Sequence, residues 1–234
     1  SYQPIGSGEP VVCFNFRKDR PRQLVAALGD PDFGGFDRGD VPLAAVTCMM
    51  RYDRSLQMPY AFEPERSATT LGEVISTLGL AQFHCAETEK YAHVTYFFNG
   101  GRAAPYTGEN QLLIPSPSVA TYDQKPSMSA KEVADAVVGA ISKGRYALIV
   151  VNFANGDMVG HTADWFATVK AVEALDNAAG DLLDAASELG YSVILTADHG
   201  EAFWEHGYQT HAYTLNRPEN DAVALFWSKN IVPA

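Results

Sequence analysis

The 234-residue sequence predicts an α/β fold, a mostly parallel sheet flanked by helices, with a smaller α/β portion at the amino end. Three observations carry this. Strand-sized apolar runs alternate with segments of helical periodicity along the chain. The run ALIVV (147–151) and the segment SVILTA (192–197) read as strands buried on both faces. Between them, 164–189 reads as one long helix.

In chain order, 11–16 reads as a strand and 21–28 as a helix with Pro21 in its first turn. The stretch DPDFGGFDRGD (30–40) is a loop rich in Gly and Asp, and 43–47 is a second strand. Leu71, Val74, Ile75 and Leu78 recur at helical spacing and predict a helix over 69–78. The segment 93–98 reads as a strand ending at Asn99-Gly100-Gly101. A second half opens near Ser129, which with Glu132 fits a capping box and starts a helix running to about 141. The segment 147–153 reads as a buried strand. On the long helix, Trp165, Val169, Val172, Leu175, Ala179, Leu182, Ala186 and Leu189 form one apolar stripe closed by Gly190. Strands over 192–197 and 222–227 follow. A linker is read at 59–67 or in the proline-rich 115–126; the first divides the chain into domains 1–66 and 67–234.

Composition narrows the function classes. Hydrophobic residues are 47% and charged residues 19%, ordinary for a globular chain and unlike a disordered one. Three cysteines are too few for a disulfide scaffold and point to a reducing compartment, the cytoplasm. The opening SYQPIGSGEP has neither a basic nor an apolar region of signal-peptide type, and no run nears the ~18 apolar residues of a membrane helix. A net charge of −11 argues against general nucleic-acid binding, yet arginines and metal ions can reverse the field inside a cleft.

Chemistry concentrates at predicted strand ends. Asp157 and His161, in NFANGDMVGHT, are spaced to share one helical face, and oxygen plus imidazole suits Mn, Zn, Co or Fe. The plainer alternative is a helix-capping Asp beside an unrelated surface His. Asp198-His199-Gly200 also follows a strand, where open α/β sheets place their ligands. His206 or His211 would complete a site with Asp157 and His161. Arg17, Lys18, Arg20 and Arg22 form a basic cluster, read either as a phosphate or carboxylate fork or as a solvated helix start. Lys90 either serves a site or pairs at the surface with Glu87 and Glu89. Neither a GxxxxGK[ST] loop nor a GxSxG elbow is present.

FNFRKDRPRQL, MMRYD, ETEKYAHVTYFFNGG, PSPSVATYDQKPSMSA, NFANGDMVGHT and TADHG, in that order over about 11–200, resemble the cofactor-independent (2,3-bisphosphoglycerate-independent) phosphoglycerate mutases of the alkaline phosphatase superfamily. The resemblance covers the carboxyl-terminal half of that family. It implies an alkaline-phosphatase-like α/β fold, with 67–234 as the metal-binding domain and 1–66 as a remnant of the substrate-binding domain. It also implies a divalent metal, Mn2+ first, with Zn2+, Co2+ or Mg2+ as alternatives. Asp157, His161 and a later histidine would hold one ion; Asp198 and His199 would belong to a second. His211, in QTHAYTLNRPEN, matches the family's last ligand better than His206. Arg17, Arg20 and Lys90 match positions that hold the phosphate and carboxylate of phosphoglycerate. No position matches the family's nucleophilic serine, so the catalytic group is unassigned. A sulfatase is not expected, because Asn15 replaces the proline of C-x-P-x-R in Cys13–Arg17.

Three functions remain in view. The first is a stand-alone metal-dependent transferase that moves a phosphoryl or phosphonyl group onto a phosphoglycerate-like molecule, from a nucleotide-activated donor in phosphonate metabolism. The second is the carboxyl-terminal part of a split or truncated mutase. The third is a non-catalytic binding module. Each predicts self-association, a partner chain, or a rebuilt sheet, because the missing half would leave a sheet edge or apolar face uncovered near 192–197.

Overall fold

The computed structural model describes residues 3–18, 20–63 and 69–197, and the backbone of strands at 203–205, 208–210 and 224–227. Two units emerge, Ser1–Arg66 and Ser67–Ala234.

The first unit is a three-stranded parallel sheet, β1 (Pro10–Cys13), β2 (Ala45–Met50) and β3 (Tyr60–Phe62), in that order. Helix α1 (Pro21–Gly29) crosses between β1 and β2, with Pro21 in its first turn. Val25 packs in a cluster with Val46, Cys48 and Tyr52. At its end, Gly29 lies so close to β2 that a Cβ would meet Val46 Cγ2 at 2.9 Å. The first strand stops at Cys13, short of the predicted 16. The Tyr52 hydroxyl and the Asn15 amide both take the Cys13 carbonyl, turning the chain and leaving Phe14 and Phe16 exposed. β3 falls within a stretch read as linker.

The second unit centres on the parallel sheet β5–β4–β6, formed by β4 (Ala81–Glu87), β5 (Glu109–Ile114) and β6 (Tyr146–Asn152). Alternation along β4 sends successive side chains to opposite faces. Phe83 and Cys85 pack with Val133, Val137 and Ile141 of α3 (Ala130–Ser142) and with Ala186 of α5 (Trp165–Leu189). Gln82 and His84 face the other way. Gln82 Nε2 donates to Gly72 O of α2 (Leu71–Thr77) at 2.8 Å, and His84 Nδ1 donates to Val94 O at 2.6 Å. Helices therefore cover both faces of this sheet, as the fold class requires. Helix α4 (Asn155–Gly160) links β6 to α5. Beyond α5, β7 (Val193–Thr196) pairs antiparallel with β10 (Ala224–Trp227), and β8 (Phe203–Glu205) pairs antiparallel with β9 (Tyr208–Thr210).

Several expectations need correction. His93–Phe97 is a wide helical turn, not a strand. Thr95 Oγ1 donates back to Tyr91 O, and Asn99 N to Thr95 O, so this segment satisfies its own backbone; Val94, Thr95 and Asn99 turn inward at helical rather than alternating spacing. Ser129 precedes α3 without capping it by its side chain, because its hydroxyl donates to Pro115 O at 2.7 Å. α5 opens on a true cap, Asp164 accepting from Ala167 N, and ends at Gly190 with φ 73°. Its buried face, however, is Ala167, Thr168, Ala171, Ala178 and Ala186, while Trp165, Val169, Val172 and Leu189 are exposed. Small side chains let this helix approach its neighbours closely, so the narrow alanine face goes inward. β6 is only partly buried, and β7 is largely exposed, with Ile194 70% accessible. Among the described residues the most buried strand is β4, whose Gln, His and Glu residues break up its apolar run.

Candidate metal and substrate site

β4 and β6 are parallel neighbours, so the chain leaves both at the same edge of the sheet. After β4 comes a short 3₁₀ turn, Thr88–Lys90, carrying Lys90. After β6 comes α4, carrying Asp157, with His161 as the residue that closes it. This is where open α/β sheets gather ligands.

The α4 helix is firmly seated. Asn155 is fully buried, and its Nδ2 donates to Pro126 O at 2.9 Å. Val159 packs among Met128, Ala154, Ala167 and Ala171. One turn of helix then brings the imidazole of His161 back toward the carboxylate of Asp157: Nε2 lies 3.3 Å from Oδ1. The other oxygen, Oδ2, accepts from the ammonium of Lys90. Lys90 and Asp157 have side chains only 16% and 20% exposed, whereas His161 is 55% exposed. A carboxylate on this site thus faces a cationic or donor group at each oxygen.

The neighbouring acids decide the alternative for Lys90. Glu89 accepts from the Tyr122 hydroxyl at 2.8 Å, and burial together with that contact pushes the Tyr122 phenol up to about 12. Glu87 is fully buried, with one oxygen accepting from Ser116 Oγ at 2.9 Å. Burial raises its pKa above the ordinary carboxylate value, and Glu132 and Glu89 add to the effect. Lys90 instead reaches across to Asp157 rather than pairing with these two acids at the surface.

The donor set fits a divalent cation. A carboxylate and an imidazole one turn apart suit Mn, Zn or Co, and the Lys90 ammonium on Asp157 shows that the pocket accepts positive charge. Among the described residues no third His, Cys, Asp or Glu joins them. Asp198, His199, His206 and His211 lie outside the described residues. Arg17 and Arg20 belong to the first unit and are exposed; Arg17 N donates to Asn15 Oδ1 at 2.8 Å, and Arg20 stands at the start of α1 without capping it by its side chain. Sequence reasoning missed three buried polar atoms in the sheet's outgoing segments: Glu87 Oε1, Asn152 Oδ1 and Asn155 Oδ1, none with a partner among the described residues. The only signal was the paired asparagines of NFAN.

The family model of the metalloenzyme superfamily matches residues 24–211. The chain belongs to this superfamily. Over 216 residues it is 51% identical to the 2,3-bisphosphoglycerate-independent phosphoglycerate mutase of Synechococcus elongatus, covering 91% of this chain and 40% of that protein. Over 198 residues it is 52% identical to the corresponding mutase 1 of Methanosarcina barkeri, covering 85% and 38%. Crystal structures of Leishmania mexicana phosphoglycerate mutase at low cobalt concentration resemble it with a TM-score of 0.69 and 34% identity, over 98% of this chain and 44% of that one. This metalloenzyme-superfamily chain therefore has the alkaline-phosphatase-like α/β fold. It spans about 40% of the length of the curated mutases it matches.

Proposed function

We propose that this chain is the metal-holding part of a 2,3-bisphosphoglycerate-independent phosphoglycerate mutase and acts in phosphoryl transfer on phosphoglycerate. The observation that carries this reading is the cluster of Lys90, Asp157 and His161 at one edge of the β4–β6 pair. The identity of 51% over 91% of the chain supports it.

In this reading Asp157 and His161 hold a divalent ion, Mn2+ first, with His211 as third ligand. Asp198 and His199 contribute to a second site. A bound ion supplies charge neutralisation at phosphoryl oxygens and Lewis acidity. Arg17, Arg20 and Lys90 bind the phosphate and carboxylate of the substrate, and Lys90 balances the charge of Asp157. The nucleophilic serine comes from the amino-terminal half that the curated relatives possess, supplied as continuous chain or as a partner. The domain assignment follows: 1–66 with the substrate-binding part, 67–234 with the metal.

The test is phosphorus NMR of 3-phosphoglycerate with the Mn(II)-loaded chain, alone and with a separately produced amino-terminal half of a cyanobacterial relative. We expect no conversion by the chain alone and 2-phosphoglycerate after complementation. Conversion that instead requires a nucleotide-activated donor overturns this in favour of a stand-alone transferase. Absence of both metal binding and complementation overturns it in favour of a binding module.

A further inference from the structure

The first unit holds two thiols that nothing above uses. Cys13 ends β1 and Cys48 lies in β2, and in the parallel register they are directly opposite each other. In-register residues on neighbouring strands project from the same face. Strand spacing is about 4.8 Å, inside the usual ~4.4–6.8 Å Cα separation of disulfides. Both are reduced. Burial raises the pKa of Cys48, and the nearby Cys13 adds to the effect.

The two differ in access. Cys13 is partly exposed, at the strand end where the chain turns away. Cys48 is 4% exposed, yet it lines a small cavity with Met50, Arg51, Tyr52, Asp53, Leu56 and Met58. The Tyr52 hydroxyl lies 3.5 Å from Cys13 Sγ and also contacts the Cys13 and Asn15 carbonyls, pinning the strand end beside β2. The third thiol, Cys85, is wholly buried in β4 of the other unit, and burial pushes it up to about 11. It serves as an internal control.

From this juxtaposition we infer that Cys13 and Cys48 are a redox-active pair that closes to an intrachain disulfide on reaction with a low-molecular-weight disulfide. In the first step the Cys13 thiolate attacks one sulfur of oxidised glutathione. A mixed disulfide forms and one glutathione thiolate leaves. In the second step the Cys48 thiolate attacks the Cys13 sulfur, the protein disulfide forms, and the second glutathione leaves. Two protein thiols and one glutathione disulfide become one protein disulfide and two glutathione thiols, with both protons passing to the departing thiolates. Cys13 goes first because it is the more accessible and Cys48 the more buried. The product ties the end of β1 to β2, two residues before the asparagine that holds the Arg17 amide.

The test is intact-mass measurement of the reduced full chain after incubation with excess oxidised glutathione, followed by non-reducing peptide mapping. We expect the loss of two hydrogens, one Cys13–Cys48 cross-linked peptide, an unmodified Cys85, and full reversal by dithiothreitol. Cys48→Ser should stop at the glutathione adduct on Cys13, and Cys13→Ser should prevent cross-linking, each with an unchanged circular dichroism spectrum. Persistence of separate glutathione adducts on both cysteines of the parent chain overturns the inference. So does a cross-link that includes Cys85, or an unreacted pair under conditions that modify an unstructured control peptide.

Discussion

Asp157 carries the heaviest electrostatic load in the described site, with the Lys90 ammonium on one oxygen and the His161 imidazole at the other. A metal ion drawn to the same carboxylate must share it with Lys90. Replacing that ammonium by an amide removes the competing charge, so Lys90→Gln should tighten Mn(II) binding by roughly fivefold to tenfold, the scale of about 1 kcal/mol for a partly screened charge pair. Calorimetric titration of the chelator-treated chain checks this, and an unchanged or weaker affinity would show that Lys90 does not occupy the metal's place. Glu87 makes a second residue-scale case. Its pKa is raised by burial, so the unfolded chain releases this proton at lower pH than the fold does. The ionised form therefore costs stability once the pH exceeds the unfolded value, and the cost vanishes where both states are protonated. Glu87→Gln should raise the thermal midpoint at neutral pH, with a gain that shrinks toward about pH 4. A gain independent of pH would remove ionisation as its cause. The approach of His161 to Asp157 was legible because their spacing matches one helical turn. The role of Lys90 was open, because spacing alone could not choose between Asp157, far along the chain, and its sequence neighbours Glu87 and Glu89.

Among the elements, β4 works through both faces: Phe83 and Cys85 pack into the apolar core, and the opposite face is held by polar contacts. His84 bridges Val94 O and Gln82, while Glu109 of β5 accepts from Asn99 Nδ2 at 2.9 Å and Gln111 Nε2 at 2.6 Å. This network escapes sequence reading because AQFHCAE lacks the unbroken apolar run that marks a buried strand. The same blindness turned His93–Phe97 into a strand, since its β-branched and aromatic residues are strand-like while its hydrogen bonds close locally. Removing one partner leaves the others buried and unpaired, so Glu109→Ala should cost about 3 kcal/mol in urea unfolding. A loss under about 0.5 kcal/mol, the scale of an ordinary surface change, would mean that the network is dispensable. α2 offers a prediction of opposite sign to its local propensity. Alanine favours a helix over glycine by about 1 kcal/mol. A Cβ at Gly72, however, would meet Asn99 Oδ1 at 2.7 Å, with Gln82 Oε1 and Tyr106 also close. Gly72→Ala should therefore destabilise the chain, and a stabilised variant would show that α2 can shift away from β4.

At the scale of the whole chain, the alternation of strands and helices was enough to read the class. Both three-stranded sheets are parallel, and α1 makes the crossover from β1 to β2. What composition and periodicity missed were the short or polar strands β3, β4, β5, β8 and β9, whose identity depends on their neighbours. The small-residue face of α5 was missed for the same reason: its larger apolar residues gave the stronger pattern, but the alanines set the contact. Whether Asp157 and His161 on α4 hold a metal is decided by Mn(II) titration of the chelator-stripped chain beside Asp157→Asn and His161→Ala, with bound metal counted by elemental analysis. Saturable binding to the parent chain is expected, weakened at least about tenfold in each variant, since even residues behind the ligands typically matter that much. Equal binding by all three proteins would contradict that expectation.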